Sequence, residues 1–147
     1  MIRYPAFSVW FCVHGEFSLG PLEQGFQGAL DFRIFKDLDI PEMSIAAGQL
    51  VLAEGSTGAA MYIIRSGSVA VRLNGATIEE IGEGGIFGEM AIIEQSTRSA
   101  EILALTDVTV VMLDEKKFLQ LVAKVPHFSV MVMRTLARRI RKMNARS

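Results

Sequence analysis

Gly82-Glu83-Gly84-Gly85-Ile86-Phe87-Gly88-Glu89-Met90-Ala91-Ile92-Ile93-Glu94-Gln95-Ser96-Thr97-Arg98-Ser99-Ala100 is the most informative stretch of the chain. Its glycines do not make a dinucleotide fingerprint, because Phe87 stands where the third glycine of G-x-G-x-x-G belongs. No Gly-Lys-Ser/Thr follows, so a P-loop is also excluded. Gly88 permits a close approach of the backbone to a ligand. Glu89 to Ile93 has the makings of one helical turn, whose leading amides suit an anionic oxygen. Arg98 can fork onto a phosphate with two parallel hydrogen bonds. Glu89 can accept from a hydroxyl. A carboxylate beside a phosphate site serves no purpose for phosphate alone, but fits a ligand that also carries a sugar hydroxyl. The plainer alternative is a surface ion pair between Glu89 and Arg98, worth under about 1 kcal/mol.

Outward from this stretch the chain is punctuated by glycines at 48, 55, 58, 67, 75, 82, 84, 85 and 88. Short β-rich runs lie between them: Tyr62 to Ile64, Val69 to Leu73, Ala76 to Ile81, Ser99 to Leu105 and Val108 to Leu113. Val69, Val71 and Leu73 alternate with Ala70 and Arg72, the period of a half-buried strand. Asn74-Gly75 predicts a two-residue type I′ hairpin, which needs positive φ at both central positions. Many short strands at close turn spacing imply a sandwich or barrel. Before them, Leu30, Ile34, Phe35 and Leu38 predict a helix over 29–43, interrupted by Pro41. After them, Asp114 is an N-cap candidate for a helix with an apolar face of Phe118, Leu121 and Val122. Pro126 separates that helix from a longer one over 127–145. In the longer one Met133, Leu136, Ile140 and Met143 step like a heptad seam, for a partner helix or for the core.

These residues together resemble the cyclic nucleotide-binding domain family, which includes the catabolite activator protein and the regulatory subunit of cyclic AMP-dependent kinase. Phe87-Gly88-Glu89-Met90-Ala91, six residues, then Arg98-Ser99-Ala100 looks like that family's phosphate-binding cassette. Ala47-Gly48, Glu54-Gly55, Met61 to Ile64, Ser66-Gly67 and Gly82-Glu83-Gly84 fall where the family places barrel strands and turns. The likeness covers roughly residues 29–145. It implies a mainly β fold: an eight-stranded jelly-roll (double-stranded β-helix) barrel with one helix before it and two after. It also implies roles. Glu89 would accept from a ribose 2′-hydroxyl and Arg98 would pair with a cyclic phosphate. The amides of Gly88, Met90 and Ala91 and the hydroxyl of Ser99 would surround that phosphate, with Ala100 against the sugar. Two positions depart from the family pattern: Thr97 stands where proline is common, and Gln95 where glycine is. In the family a hydroxyl at position 99 can favour cyclic GMP by bonding the guanine amino group, whereas Ser99-Ala100 also resembles bacterial cyclic AMP sensors; cyclic AMP is favoured, because one hydrogen bond shifts affinity by only about 0.5–1.5 kcal/mol.

Composition narrows the rest. The chain has 147 residues, 50% apolar and 21% charged, as expected of one globular domain. The division expected is an unassigned arm at 1–28 and a cyclic nucleotide-binding domain at 29–147. Net charge is −1, and Arg134, Arg138, Arg139, Arg141, Lys142 and Arg146 read as a solvated helix end that complements the macrodipole rather than as a nucleic-acid surface. A single cysteine, Cys12, excludes an intrachain disulfide and a cysteine metal cluster. His14 and His127 stand in no catalytic or metal-binding motif, so no enzyme activity and no cofactor are expected. The apolar stretch Tyr4 to Val13, behind a single Arg3, lacks a signal peptide's features, and no stretch is long enough to span a bilayer. The expectation is a cytoplasmic sensor with no effector domain of its own, acting through an unknown effector protein or by homodimerisation on its last helix. The alternatives are a degenerate, nucleotide-free partner-binding module and a DNA-binding regulator without a recognisable helix-turn-helix.

Overall fold

The computed structural model describes residues 33–95 and 97–146. The expected arm at 1–28, with Cys12 and His14, lies outside the described residues. The elements are α1 (Arg33–Asp37), β1 (Glu42–Ile45), β2 (Leu50–Leu52), β3 (Ala60–Ser66), β4 (Val69–Leu73), β5 (Ala76–Ile81), β6 (Ile86–Phe87), α2 (Met90–Ile93), β7 (Glu101–Ala104), β8 (Val108–Asp114), α3 (Glu115–Lys124) and α4 (His127–Arg146). The eight strands form two antiparallel four-stranded sheets, ordered β1-β8-β3-β6 and β2-β7-β4-β5.

The central pair, β3 and β8, is apolar on both faces for a topological reason. Successive side chains of a strand point to opposite sides. Met61, Ile63, Val111 and Leu113 face the helices and pack with Phe35, Leu121, Phe128 and Val132. Tyr62, Ile64, Val108 and Val110 pack instead with Val69, Ile81, Phe87, Ile102 and Ala104 of the other strands. One strand pair therefore serves two cores, and a run such as Met61 to Ile64 is buried throughout. The same effect corrects the alternation expected of β4: Val69 and Ala70 are both buried, and Val71 and Arg72 are both half-buried.

The turns follow local chemistry. Asn74 (φ 53°) and Gly75 (φ 81°) make the expected hairpin, with Leu73 paired to Ala76. The strand expected at Ser99 is shorter and starts at Glu101, because Ser99 and Ala100 bend. The first helix is shorter than the predicted 29–43 within the described residues. It stops at Asp37 because Asp39 turns left-handed (φ 57°) and closes a Schellman motif, with Ile40 N–H donating to the Phe35 carbonyl at 2.7 Å. Pro41 lies beyond this stop and is not its cause. Asp114 caps α3 as expected, accepting from the Lys117 amide at 2.7 Å. The Lys117 Nζ then donates to the Leu38 carbonyl at 2.5 Å and ties α3 to the end of α1.

Helix α4 is anchored unevenly. Phe128 and Val132 are buried, and Met131 and Leu136 pack against the same core. Met133, Ile140 and Met143 are 59%, 57% and 69% exposed, so most of the heptad-like seam faces outward. Beyond Leu136 no described side chain of α4 is fully buried. The first half of α4 is thus held by apolar packing. Truncation of Phe128 to alanine is expected to cost about 3–5 kcal/mol in urea unfolding; a loss below about 1 kcal/mol would mean that α4 is not part of the core.

Candidate functional site

Arg98 is placed by its backbone before its side chain. Its N–H donates to the Ser56 carbonyl at 2.8 Å, and its carbonyl accepts from Gly55 N–H at 2.7 Å. The loop between β2 and β3 therefore fixes the residue in register. Its side chain turns inward and is 7% exposed as a residue. Nη1 donates to the Gly88 carbonyl at 2.9 Å, and Nη2 to the Ala60 carbonyl at 2.8 Å. The guanidinium carbon lies 6.0 Å from the centroid of Tyr62, which stacks on Phe87 at 5.1 Å.

No carboxylate pairs with Arg98 among the described residues, and Nε is buried there without a partner. A buried cation is costly unless paired or richly hydrogen-bonded. Two carbonyl dipoles and a ring face satisfy it in part. The remaining demand is for an anion.

Two glycines make room for this arginine. At Gly88 φ is +76°, and an added Cβ would stand 2.8 Å from Nη1 of Arg98 and 3.2 Å from the Ala60 carbonyl oxygen. At Gly58 an added Cβ would lie 2.6 Å from Nη2. The sequence reading gave Gly58 no role at the site.

Glu89 follows Gly88 directly and is also buried, at 4% exposure. It does not pair with Arg98. Its Oε1 accepts from Nη1 of Arg139 at 2.5 Å. Arg139 also donates through Nε to Oε2 of Glu79 at 3.0 Å and through Nη2 to the Ile86 carbonyl at 2.7 Å. Nη2 of Arg138 stands 3.8 Å from Oε1 of Glu79. This corrects the reading of the basic run as a solvated helix end. Arg134, Arg141 and Lys142 are exposed, but Arg138 and Arg139 are half-buried and turned onto carboxylates of the sheet and cassette. Position in a basic run gave no signal of this, because it depends on the face that α4 turns toward β5.

The remaining cassette residues are arranged around these two side chains. Helix α2 is a single turn, in which Ile92 and Ile93 amides donate to the Glu89 carbonyl at 3.0 Å. The Ala91 amide donates to the Gly88 carbonyl at 3.2 Å. Ala91 is buried, Met90 and Ala100 are half-buried, and Ser99 is exposed. Among the described residues no group of His, Cys, Asp and Glu is placed to hold a metal ion. No helix of the described residues is long and apolar enough to cross a membrane.

Comparison with known proteins agrees with the fold. The family model described as the cyclic nucleotide-binding domain matches residues 42–125, more than half of the chain. A cGMP-dependent protein kinase of Caenorhabditis briggsae is 39% identical over 77 residues, covering 52% of this chain and 10% of the kinase. A CRP-like cAMP-activated global transcriptional regulator of Mycobacterium tuberculosis is 35% identical over 104 residues, covering 66% of this chain and 46% of the regulator. The crystal structure of the Thermus thermophilus catabolite activator protein superposes with a TM-score of 0.68 at 27% identity, over 86% of this chain and 61% of that one. The buried arginine and the glycine-opened turn in front of it both lie within the span that the family model matches. The chain belongs to the cyclic nucleotide-binding domain family. It spans a tenth of the kinase and under half of the regulator.

Replacing Gly88 with alanine is expected to cost about 1–3 kcal/mol, from left-handed strain and displacement of Arg98. Thermal unfolding measures the loss, and an unchanged Tm would contradict the close packing of Gly88 against the guanidinium.

Proposed function

We propose that the chain is a non-catalytic sensor domain whose ligand is a cyclic nucleotide, cyclic AMP in preference to cyclic GMP. The observation that carries this is the buried Arg98, held by two carbonyls and lacking a carboxylate among the described residues. A cyclic phosphate supplies the missing anion. In this reading Arg98 pairs with the phosphate, and the amides of Gly88, Met90 and Ala91 and the Ser99 hydroxyl surround it. Glu89 accepts from the ribose 2′-hydroxyl, and Ala100 packs near the sugar. The relatives include a kinase named for cGMP and a regulator named for cAMP, so the preference rests on Ser99-Ala100. The unit extends from residue 29 to 147, beyond the matched span. Its strand order supports a jelly roll of two four-stranded sheets. Acting in the cytoplasm, it passes its signal through α4. There the outward seam of Met133, Ile140 and Met143 is suited to a second copy of the chain or to an effector protein.

A second reading, a module that works without nucleotide, is favoured by one observation. Glu89 already has a partner in Arg139. Thermal unfolding with cyclic AMP, cyclic GMP and AMP decides between the two. A true ligand at 100 times its Kd stabilises by about 2.7 kcal/mol. No shift with either cyclic nucleotide at millimolar concentration would leave the nucleotide-free module as the function. Arg98→Ala is expected to weaken binding by about 2–5 kcal/mol, since the phosphate loses a desolvated partner; normal binding by that variant would remove Arg98 from the site. Light scattering tests the seam: an equilibrium between monomer and dimer that Ile140→Glu shifts to monomer is expected, and a monomer at every concentration would exclude self-association.

A further inference from the structure

Arg139 occupies the carboxylate that the proposed ligand needs. The Glu89 side chain is only 6% exposed, and the Nη1 of Arg139 sits on its Oε1 at 2.5 Å. A ribose hydroxyl that takes Oε1 must displace Arg139 from it. That cover has somewhere to remain, because the Nε of Arg139 is bonded to Glu79 on β5, a carboxylate that belongs to the strand and not to the cassette. We infer that Arg139 is a tethered competitor of the ribose for Glu89, with Glu79 as the post that retains it when the ribose wins. This rests on the nucleotide reading above and adds a specificity-determining residue to it.

The placement of α4 gives the competition a mechanical consequence. The helix is held by Phe128, Val132 and Leu136 through its first half. Further along, it makes ion pairs from Arg138 to Glu79 and from Arg139 to Glu79 and Glu89, and Arg139 also donates to the Ile86 carbonyl. Withdrawal of Arg139 from Glu89 and Ile86 removes two of its three bonds and loosens only the part of the helix beyond Leu136. A ligand biases such an equilibrium by the difference in its affinity for the two states. Here that difference is the hydroxyl bond to Oε1 of Glu89, the atom that Arg139 holds until it leaves.

The cyclic nucleotide and its 2′-deoxy analogue separate this from any general effect of charge. Both carry the same phosphate, so losing a cation near the site changes their affinities equally. Only the ribose form competes with Arg139. In Arg139→Ala, the ratio of ribose to deoxyribose affinity, measured by calorimetry, is expected to rise at least about fivefold, the lower end of typical site-to-site coupling. Arg139→Lys, which keeps the charge but not the three-way fork, is expected to fall between. In the wild-type chain the ribose form speeds amide hydrogen exchange over 137–143, and the deoxy analogue does not. Without any ligand, Glu89→Gln speeds exchange over the same residues.

An unchanged or lowered ratio, with wild type binding normally, overturns the competition and leaves the nucleotide reading standing; a lowered ratio would mean that Arg139 orients Glu89 instead. Unaltered exchange in Glu89→Gln overturns the latch independently of any ligand. If wild type binds neither nucleotide but Arg139→Ala does, the latch is confirmed as holding the site closed. If neither protein binds, the functional reading and the competition fall together.

Discussion

A guanidinium taken out of water needs oxygen atoms converging on it from fixed directions, and Arg98 meets them in the carbonyls of Gly88 and Ala60. That requirement shapes much of the surrounding structure. The Gly88 carbonyl points at the arginine from a left-handed turn, and a side chain on that turn would strike Nη1. The Ala60 carbonyl opens β3, so the strand that supplies the double core also supplies half of the arginine's ligands. Tyr62, on the same strand, stacks on Phe87 and closes the ring-facing side. Gly58 keeps the last approach open. Arg98 also draws the loop between β2 and β3 onto the cassette through both of its backbone hydrogen bonds.

The second buried charge is organised differently. Glu89 is neutralised at once by a cation from 50 residues away in sequence. Paired buried charges hold geometry more than they add stability, because desolvation offsets most of their attraction. The two buried charged residues of the cassette thus stand in unlike states: Arg98 has only dipoles around it among the described residues, and Glu89 has a full counter-charge. The cation lacks a counter-charge among the described residues, and the carboxylate has one from α4.

This asymmetry bears on how the domain joins its sheets to its helices. Phe128 and Val132 pack in one core with Met61, Ile63, Val111 and Leu113, and Ile86 and Ile92 join that core. Arg139 alone of the two half-buried arginines reaches a carboxylate of the cassette, while Arg138 meets Glu79 on β5. The helix is thus held by an apolar core through its first half and by ion pairs further along.

Much was legible in the chain itself, for reasons of range. The hairpin at Asn74-Gly75, the N-cap at Asp114 and the turn after Gly88 are decided by φ preferences and by hydrogen bonds within a few residues, so the residue types suffice. Arg98 packs against Gly88, and Glu89 follows Gly88 directly but pairs elsewhere. The burial of Met61 to Ile64 on both faces, the early stop of α1 and the pairing of Glu89 were decided only in three dimensions. The alternation expected for β4 failed because its faces do not divide simply into core and solvent. The basic run departed from a solvated helix end at Arg138 and Arg139, because which of its arginines are half-buried depends on the rotation of α4 against β5. A linear pattern carries that angle only after the sheets have set it. Local chemistry therefore determined the turns, the caps and the composition of the site, while tertiary packing decided which charges met, because charge pairing over 50 residues depends on position in space and not on spacing along the chain.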